Sequence, residues 1–358
     1  MNILFIIGNG FDLQLGLPTS YKDFFQYYVQ CESSSHEISR LKERIKENPD
    51  CWADLEVSLA EFTSEFDSEG QYCLVYDDIQ EHLKEYMLAV DRLMLNSFTL
   101  AGNSETVRES FLKPEQSFRR EVAATLGRYF ENISGMININ IEILSFNYTH
   151  TIEYVLPEML ETGGGYTEIV GRNRSVLPPV VHVHKEVDEE GSVWLGVDND
   201  QQIPNAGFRN SDEVVLRLVK PEILQNSGSN SYSNARNMIG EADVICCFGV
   251  SLGKSDLTWV KAIGGRLSNG ALLLYYGVDD KPCKTENQEI IKQKQVRRTL
   301  MKKFGFEGGK PIESKIFVKF NSDMFVRSRD LSNACHEKNL AIILDYLLNR
   351  DAGENSTV

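Results

Sequence analysis

The stretch Asn2-Ile3-Leu4-Phe5-Ile6-Ile7, followed directly by Gly8-Asn9-Gly10-Phe11-Asp12, decides the fold of this 358-residue chain. Five consecutive apolar residues in a short run are typical of a strand that is buried on both faces of a parallel sheet. A Gly-x-Gly turn between such a strand and a helix start lets backbone N–H groups approach a phosphate. The stretch therefore predicts a Rossmann-like opening, and a nucleotide is the first ligand to test.

The rest of the chain changes pattern near residue 133. Between residues 21 and 133 the apolar residues recur at steps of three and four, which predicts helices. After residue 133, short apolar runs alternate with helical stretches, which favours a parallel sheet. We expect strands over 141–146, 180–184, 193–197, 214–219, 244–250, 272–278 and 316–320, and helices over 235–241, 257–267, 288–304 and 333–348.

These patterns together predict an α/β protein with a doubly wound, mainly parallel, Rossmann-like sheet and a large helical insertion after the first strand. Residues 1–20 and 134–350 would form the nucleotide-binding domain, and residues 21–133 the insertion. Residues 351–358 are expected to be a disordered tail. In such sheets, ligands bind beyond the carboxyl ends of the strands.

The composition limits which binding partners and which cellular compartment are expected. The formal net charge of -15 argues against a broad nucleic-acid-binding face. Seven cysteines without any CxxC spacing indicate a reducing compartment and argue against a zinc ribbon. No apolar run is long enough to span a bilayer, so we expect a cytoplasmic protein without membrane contact.

The first glycine turn has two open interpretations. Gly8 and Gly10 fit the start of the dinucleotide fingerprint, but Leu13 occupies the place of its third glycine. The turn is either a tight structural element or a ligand-binding loop with Asn9 and Asp12 as its polar contacts. Asp12 equally suits the capping of the helix that follows.

A second candidate turn runs from residue 248 to residue 256, at the end of a predicted buried strand. Only three residues separate Gly249 from Gly253, whereas the P-loop motif requires four, so an ATPase is rejected. Gly249 and Ser251 can still donate hydrogen bonds to a phosphate or a ribose. Asp256 suits the N-cap of the next helix.

Two further strand ends carry an amide and imidazoles. Asn147 has both a donor and an acceptor, so it can orient a sugar hydroxyl or a water, or it can cap the turn that follows. His182 and His184 alternate along a predicted strand and would share one face. One of them could act as a base, or both could share a metal, although no carboxylate lies at a sequence spacing that would identify it as a third metal ligand. A structural role is a further alternative for His182.

Four segments of the chain resemble, in order, the bacteriophage abortive-infection AbiH family. The family pattern of GNGFDL, LPTSY, FNYT and a His-x-His element matches residues 8–13, 17–21, 146–149 and 182–184. At greater distance, the same order is similar to sirtuin-like NAD-consuming enzymes. The positions that carry this second resemblance are Gly8, Gly10, Asn147, His184, 249–252 and Asp256.

The sirtuin pattern also shows where this chain departs from it. Thr149 stands where those enzymes place an aspartate, and Lys185 stands where a glycine follows the histidine. The four-cysteine zinc module of the protein deacylases is absent from the sequence. The resemblance therefore implies hydrolysis of NAD rather than deacylation of proteins.

The hypothesis from the sequence is an anti-phage NAD glycohydrolase that uses NAD as substrate and needs no cofactor and no metal. The turns at 8–10 and 249–251 would hold the pyrophosphate and ribose, Asn147 would orient the ribose or water, and His184 would be the base. Phe11 could cover the ring and exclude solvent, although an aromatic residue after a glycine turn is more often part of the core packing. A phage-derived trigger or a homo-oligomer is expected to control activity. Two alternatives stay open: a non-catalytic nucleotide or ADP-ribose sensor, and a metal-dependent hydrolase or nuclease built on His182 and His184.

Overall fold

The computed structural model describes residues 1–97, 104–134, 139–161, 166–168, 173–176, 180–188, 191, 193–277, 283–306, 310–325 and 329–354. Its strands are β1 Asn2–Ile7, β2 Ile139–Ser145, β3 Tyr166–Glu168, β4 Asn173–Val176, β5 Val181–His182, β6 Val244–Phe248, β7 Leu272–Gly277 and β8 Ile316–Phe320.

The helices lie before, between and after these strands. They are α1 Gly10–Gln14, α2 Tyr21–Tyr28, α3 His36–Glu47, α4 Leu55–Phe62, α5 Glu69–Ser97, α6 Ser104–Leu112, α7 Arg120–Ser134, α8 Thr151–Glu161, α9 Asp212–Leu218, α10 Lys220–Asn226, α11 Ser231–Glu241, α12 Leu257–Ser268, α13 Glu286–Lys303, α14 Lys310–Glu313 and α15 Arg329–Glu354.

The sheet is doubly wound around β1, as predicted. Its order is β3-β4-β2-β1-β6-β7-β8, and β5 also pairs with β2. All pairings are parallel except that of β3 with β4 at one edge. Ile3 lies opposite Ile141 of β2 on one side and Val244 of β6 on the other. The chain thus moves away from β1 in both directions, which creates a topological switch point beside it.

Both faces of β1 are buried, which explains its uninterrupted apolar run. Ile3, Phe5 and Ile7 pack in a core shared with α2, α4, α5 and α15. Leu4 and Ile6 pack in a second core with α11, α12 and α13. Successive side chains of a strand point to opposite faces, so a strand covered on both sides has no position for a polar residue.

Every element that the structure describes between β1 and β2 is helical, as predicted. Local capping explains where these helices begin. Ser20 and Asp23 form a reciprocal capping box at α2, and Asp54 accepts from the backbone N–H of Val57 at 3.2 Å at the start of α4. The helical segment therefore starts with well-defined boundaries next to the first turn.

Two predicted strands are wrong. Residues 214–219 lie in α9 and the loop after it; the side chain of Ser211 caps this helix, and Val214 and Leu218 share its buried face. Residues 193–197 form no strand, and their ladder contact is a single bridge between Val197 and Val219. A short run of β-branched residues fits both patterns, and the capping serine upstream favours the helix.

The last helix extends beyond the predicted start of the tail. α15 ends at Glu354, four residues into the segment that was expected to be disordered, and residues 355–358 lie outside the described part of the chain.

Candidate functional site

A cavity of about 280 Å³ opens at the carboxyl ends of β1, β2 and β6, at the switch point. Eight of the ten predicted site residues line it: Gly8, Asn9, Asp12, Asn147, His184, Gly249, Ser251 and Asp256. The other two, Gly10 and Phe11, do not. The helical segment contributes further lining residues, namely Tyr21, Ala53, Asp54, Glu56 and Met87.

The two glycine turns pack directly against each other. The backbone N–H of Gly8 donates to Phe248 O at 2.9 Å, and that of Gly10 donates to Gly249 O at 3.1 Å. A Cβ on Gly10 would lie 2.5 Å from Gly249 Cα, and Gly249 itself has a φ of +66°. The glycines are thus required for backbone packing, and the amides of Gly8 and Gly10 are already used. A phosphate at this turn would need other donors.

Phe11 lies in the hydrophobic core rather than over a ligand site. It is fully buried, with its ring centroid 5.1 Å from that of Phe325 and 6.5 Å from that of Phe248. The prediction that Phe11 covers a bound ring is therefore corrected to packing. Asn9 has a structural contact as well, because its side-chain amide donates to Thr19 O at 3.0 Å.

Asp12 is a buried carboxyl that does not cap a helix. Its Oδ2 accepts a hydrogen bond of 2.6 Å from the Thr149 hydroxyl, whereas its Oδ1 has no protein partner. Burial raises the pKa of Asp12 to about 7, against the lowering effect of hydrogen bonds from Thr149 and Thr151. The carboxyl therefore changes its charge near neutral pH, at the wall of the cavity.

His184 is held by a buried carboxylate. Its Nε2 lies 3.2 Å from Asp256 Oδ1, and its Nδ1 has no protein partner. A carboxylate at this distance favours the proton on Nε2, which leaves the Nδ1 lone pair free to accept a proton. Although burial alone would raise it, the charge of Lys220 and the contact with His184 hold the pKa of Asp256 well below its usual range.

Lys220 ties this pair to the helical segment. Its ammonium lies 2.9 Å from Asp256 and 3.1 Å from Glu56 of α4, and all three side chains are buried. Burial alone would lower the pKa of Lys220, but the two carboxylates raise it above its usual value. Asp256 occupies the N-cap position of α12, as predicted, but its side chain makes no cap hydrogen bond, and Asp198 accepts from the first-turn N–H of Thr258 at 2.6 Å instead.

Asn147 has an unpaired side chain. Neither its amide oxygen nor its amide nitrogen has a protein partner, although the residue is only 4% exposed. The interpretation of this amide as a turn cap is therefore wrong. Buried polar atoms without partners are rare in folded proteins, and four of the eight among the described residues belong to Asp12, Asn147 and His184 in a single cavity. Such a set is typical of a ligand site.

His182 has a structural role. Its Nε2 lies 2.7 Å from Glu153 Oε1 and its Nδ1 lies 3.1 Å from Asn147 O, so both ring nitrogens are engaged. His182 does not line the cavity, and sharing a metal with His184 would require one of these two contacts to break. Within the residues that the structure describes, no three His, Cys, Asp or Glu side chains form a metal-binding group.

Comparison with known families gives a match over most of the chain. A family model described as "Bacteriophage abortive infection AbiH" matches residues 4–276. The chain belongs to the AbiH family. The resemblance drawn from the four sequence segments is thereby confirmed, and the family indicates a protein of phage abortive infection. A comparison with curated proteins finds no match.

Every residue that lines the cavity lies within the part matched by the AbiH model. In the described ranges, no helix is both long enough and apolar enough to cross a bilayer.

Reasoning from the sequence missed several members of this AbiH-family site. Tyr21, Glu56 and Lys220 are distant in sequence from the strand ends and belong to three different helices. A lysine at the start of a helix usually lies on the solvated surface. The sequence around Lys220 therefore gives no sign that this side chain is buried between two carboxylates. The one available signal was Tyr21, since it ends the LPTSY segment already noted for the family.

Proposed function

We propose that this AbiH-family protein acts in phage abortive infection by hydrolysing NAD at the bond between nicotinamide and ribose. The observation that carries the proposal is the convergence of Asn147 and His184, both buried and with unpartnered polar atoms, in the cavity at the switch point. Switch points are where open α/β sheets bind nucleotides.

The reaction needs little chemistry from the protein. Water adds to C1′ of the ribose as the C1′–N1 bond breaks, the bonding electrons leave with nicotinamide, and one proton is released. The pyridinium is already a good leaving group, so the protein must position the reactants and stabilise an oxocarbenium-like centre. NAD is the substrate, and no other cofactor is needed.

His184 and Asn147 would have different roles in the reaction. The free Nδ1 of His184 would accept the proton from the attacking water, while Asp256 keeps the imidazole in the required tautomer. The free amide of Asn147 would orient the water or a ribose hydroxyl. Asp256, being held by Lys220, is a positioning residue in this scheme.

The size of the cavity limits how NAD would bind. Its volume of about 280 Å³ is slightly below the roughly 300–1,000 Å³ that is usual for ligand pockets. The nicotinamide–ribose end would occupy the cavity, and the rest of the dinucleotide would extend past Gly249 and Ser251 at its rim.

The direct test is incubation of the purified protein with NAD, followed by identification of nicotinamide and ADP-ribose. We expect product from the wild type and a loss of rate of about 100-fold or more in His184→Ala and in Asn147→Ala. His36→Ala is the control, because His36 is exposed and lies outside the cavity. Full turnover by both cavity variants would reject the assigned roles.

The same assay separates the alternatives. A sensor would bind NAD or ADP-ribose saturably, yield no product and keep its affinity in His184→Ala. A metal-dependent hydrolase or nuclease would lose its activity in excess chelator. In a cytoplasmic defence protein, the activity would be held back until infection, either until a phage-derived trigger activates it or through the contacts of a homo-oligomer. The assay should therefore include protein isolated from infected cells.

A further inference from the structure

The unpartnered atoms of the cavity are mostly hydrogen-bond acceptors. Asp12 Oδ1 accepts only when the carboxyl is ionised, Asn147 Oδ1 always accepts, and His184 Nδ1 accepts when the proton is on Nε2 beside Asp256. The one unpartnered donor is the Asn147 Nδ2 group. All three side chains are at most 5% exposed. A ligand that satisfies this set must itself donate hydrogen bonds.

The charge of the residues that line the cavity also favours a ligand that donates hydrogen bonds. Among the described residues that line the cavity, four are acidic and none is a lysine or arginine; the acidic ones are Asp12, Asp54, Glu56 and Asp256. A phosphate is anionic and, when ionised, accepts hydrogen bonds only. It would meet unpaired acceptors and carboxylates here, which is unfavourable on both counts.

From this arrangement we infer that the cavity binds a ribosyl group without its phosphates, and that the free carboxylate oxygen of Asp12 accepts hydrogen bonds from the vicinal hydroxyls of the ribose. This inference rests on the proposed function and deepens it. It assigns the cavity to an uncharged or cationic nucleoside end and leaves the pyrophosphate outside.

Asp12 is the acidic residue with an available oxygen. Asp54 is exposed and caps α4. Glu56 and Asp256 both bind the Lys220 ammonium, at 3.1 and 2.9 Å. In Asp12, a residue of the cavity lining, one oxygen is held by Thr149 while the other has no protein partner. A carboxylate fixed on one side and free on the other is well placed to bind a diol.

Several other groups influence the charge of Asp12. Asp91 of α5 repels it and itself pairs with His150, while Thr149, Thr151 and Asn147 favour its ionised form. Across the cavity lie His184, Asp256 and Glu56. Since an ionised acceptor makes the stronger hydrogen bond, binding through Asp12 should tighten as the pH rises from 6 to 8.

Calorimetric titration with two probes tests the inference. The first is the carbocyclic analogue of nicotinamide riboside, which keeps both hydroxyls, carries no phosphate and has a bond to nicotinamide that cannot be hydrolysed. The second is inorganic pyrophosphate. We expect the wild type to bind the nucleoside analogue, with tighter binding at pH 8 than at pH 6. Pyrophosphate at tenfold higher concentration should not displace it.

Two variants isolate the carboxylate. Asp12→Asn keeps the shape of the side chain and should weaken binding of the analogue at least tenfold. It should also remove the increase in affinity between pH 6 and 8. Asp67→Asn is the matched control, because it makes the same chemical change at an exposed residue outside the cavity and should bind within about twofold of the wild type. Displacement by pyrophosphate, unchanged binding in Asp12→Asn, or no binding to the wild type would overturn the inference.

Failure of the inference and failure of the proposed function give different results. If the wild type binds the analogue through Asp12 but releases no nicotinamide from NAD, hydrolysis is rejected and the ribosyl site stands. If NAD is hydrolysed and Asp12→Asn keeps the KM of the wild type, the ribosyl role of Asp12 is rejected and hydrolysis stands.

Discussion

Two groups of residues at the same edge of the sheet use their polar atoms in opposite ways. The glycine contact, formed by Gly8, Gly10 and Gly249, binds backbone to backbone and has its amides engaged. The polar cluster, formed by Asp12, Asn147, His184 and Asp256, has unpartnered atoms in three of its four side chains. The difference indicates that the glycine motif builds the cavity, whereas the side chains beside it are available for a ligand.

Lys220→Met should have the largest effect on stability, because it removes the cation between two buried carboxylates. We expect the free energy of unfolding to fall by about 3–5 kcal/mol, measured by chemical denaturation. Lys113→Met is the control: its partner Glu109 lies 2.7 Å away on the surface, and the loss should be below about 1 kcal/mol. Equal losses would show that the polar cluster does not depend on a buried charge network.

Asp12→Asn should increase stability in a pH-dependent way. The folded protein keeps the Asp12 proton up to its pKa of about 7, whereas the unfolded chain releases it near 3.8. The carboxyl therefore lowers the stability of the wild type progressively as the pH rises between these two values, by at most about 4 kcal/mol. The difference between variant and wild type, from denaturation at pH 4, 6 and 8, should grow over this range. A constant difference would contradict a raised pKa.

Gly10→Ala tests the glycine contact. The new Cβ would meet backbone atoms of Gly249 at 2.5 Å, so the turns must separate, at a cost of about 3 kcal/mol. Gly127→Ala is the opposite case, because no atom lies within 4 Å of its Cβ position in α7 and alanine favours a helix. Urea denaturation should show a loss at Gly10 and a gain of about 0.5–1 kcal/mol at Gly127. A stable Gly10→Ala protein would remove the packing explanation.

The smallest expected effect lies next to the polar cluster, at Lys185. This residue follows His184 and has a φ of +56°, a conformation that glycine adopts without cost. Lys185→Gly and Lys185→Ala both remove the ion pair with Asp188, so their comparison isolates the backbone. The glycine variant should be more stable than the alanine variant by about 1 kcal/mol in thermal or chemical denaturation. Equal stabilities would argue against strain at this position.

Much of the site could be predicted because strand ends in a parallel sheet meet at one edge. Asn147, His184 and Asp256 follow or lie near predicted buried strands, so their convergence follows from topology alone. The errors have physical causes too. The run at 214–219 has the composition of a strand but the capping of a helix, and Phe11 follows a glycine turn yet points into the core.

The sequence by itself determined the first strand, the alternation of strands and helices, the family and the set of polar strand ends, because each depends on local spacing. Only the tertiary structure decided which polar atoms are used and which are free. The amides of Gly8 and Gly10 are engaged because another turn packs on them. The pKa of Asp12 lies near 7 because folding buries its carboxyl. Lys220 joins the site only through folding. Burial and partnership are properties of contacts between distant segments, and no local pattern encodes them.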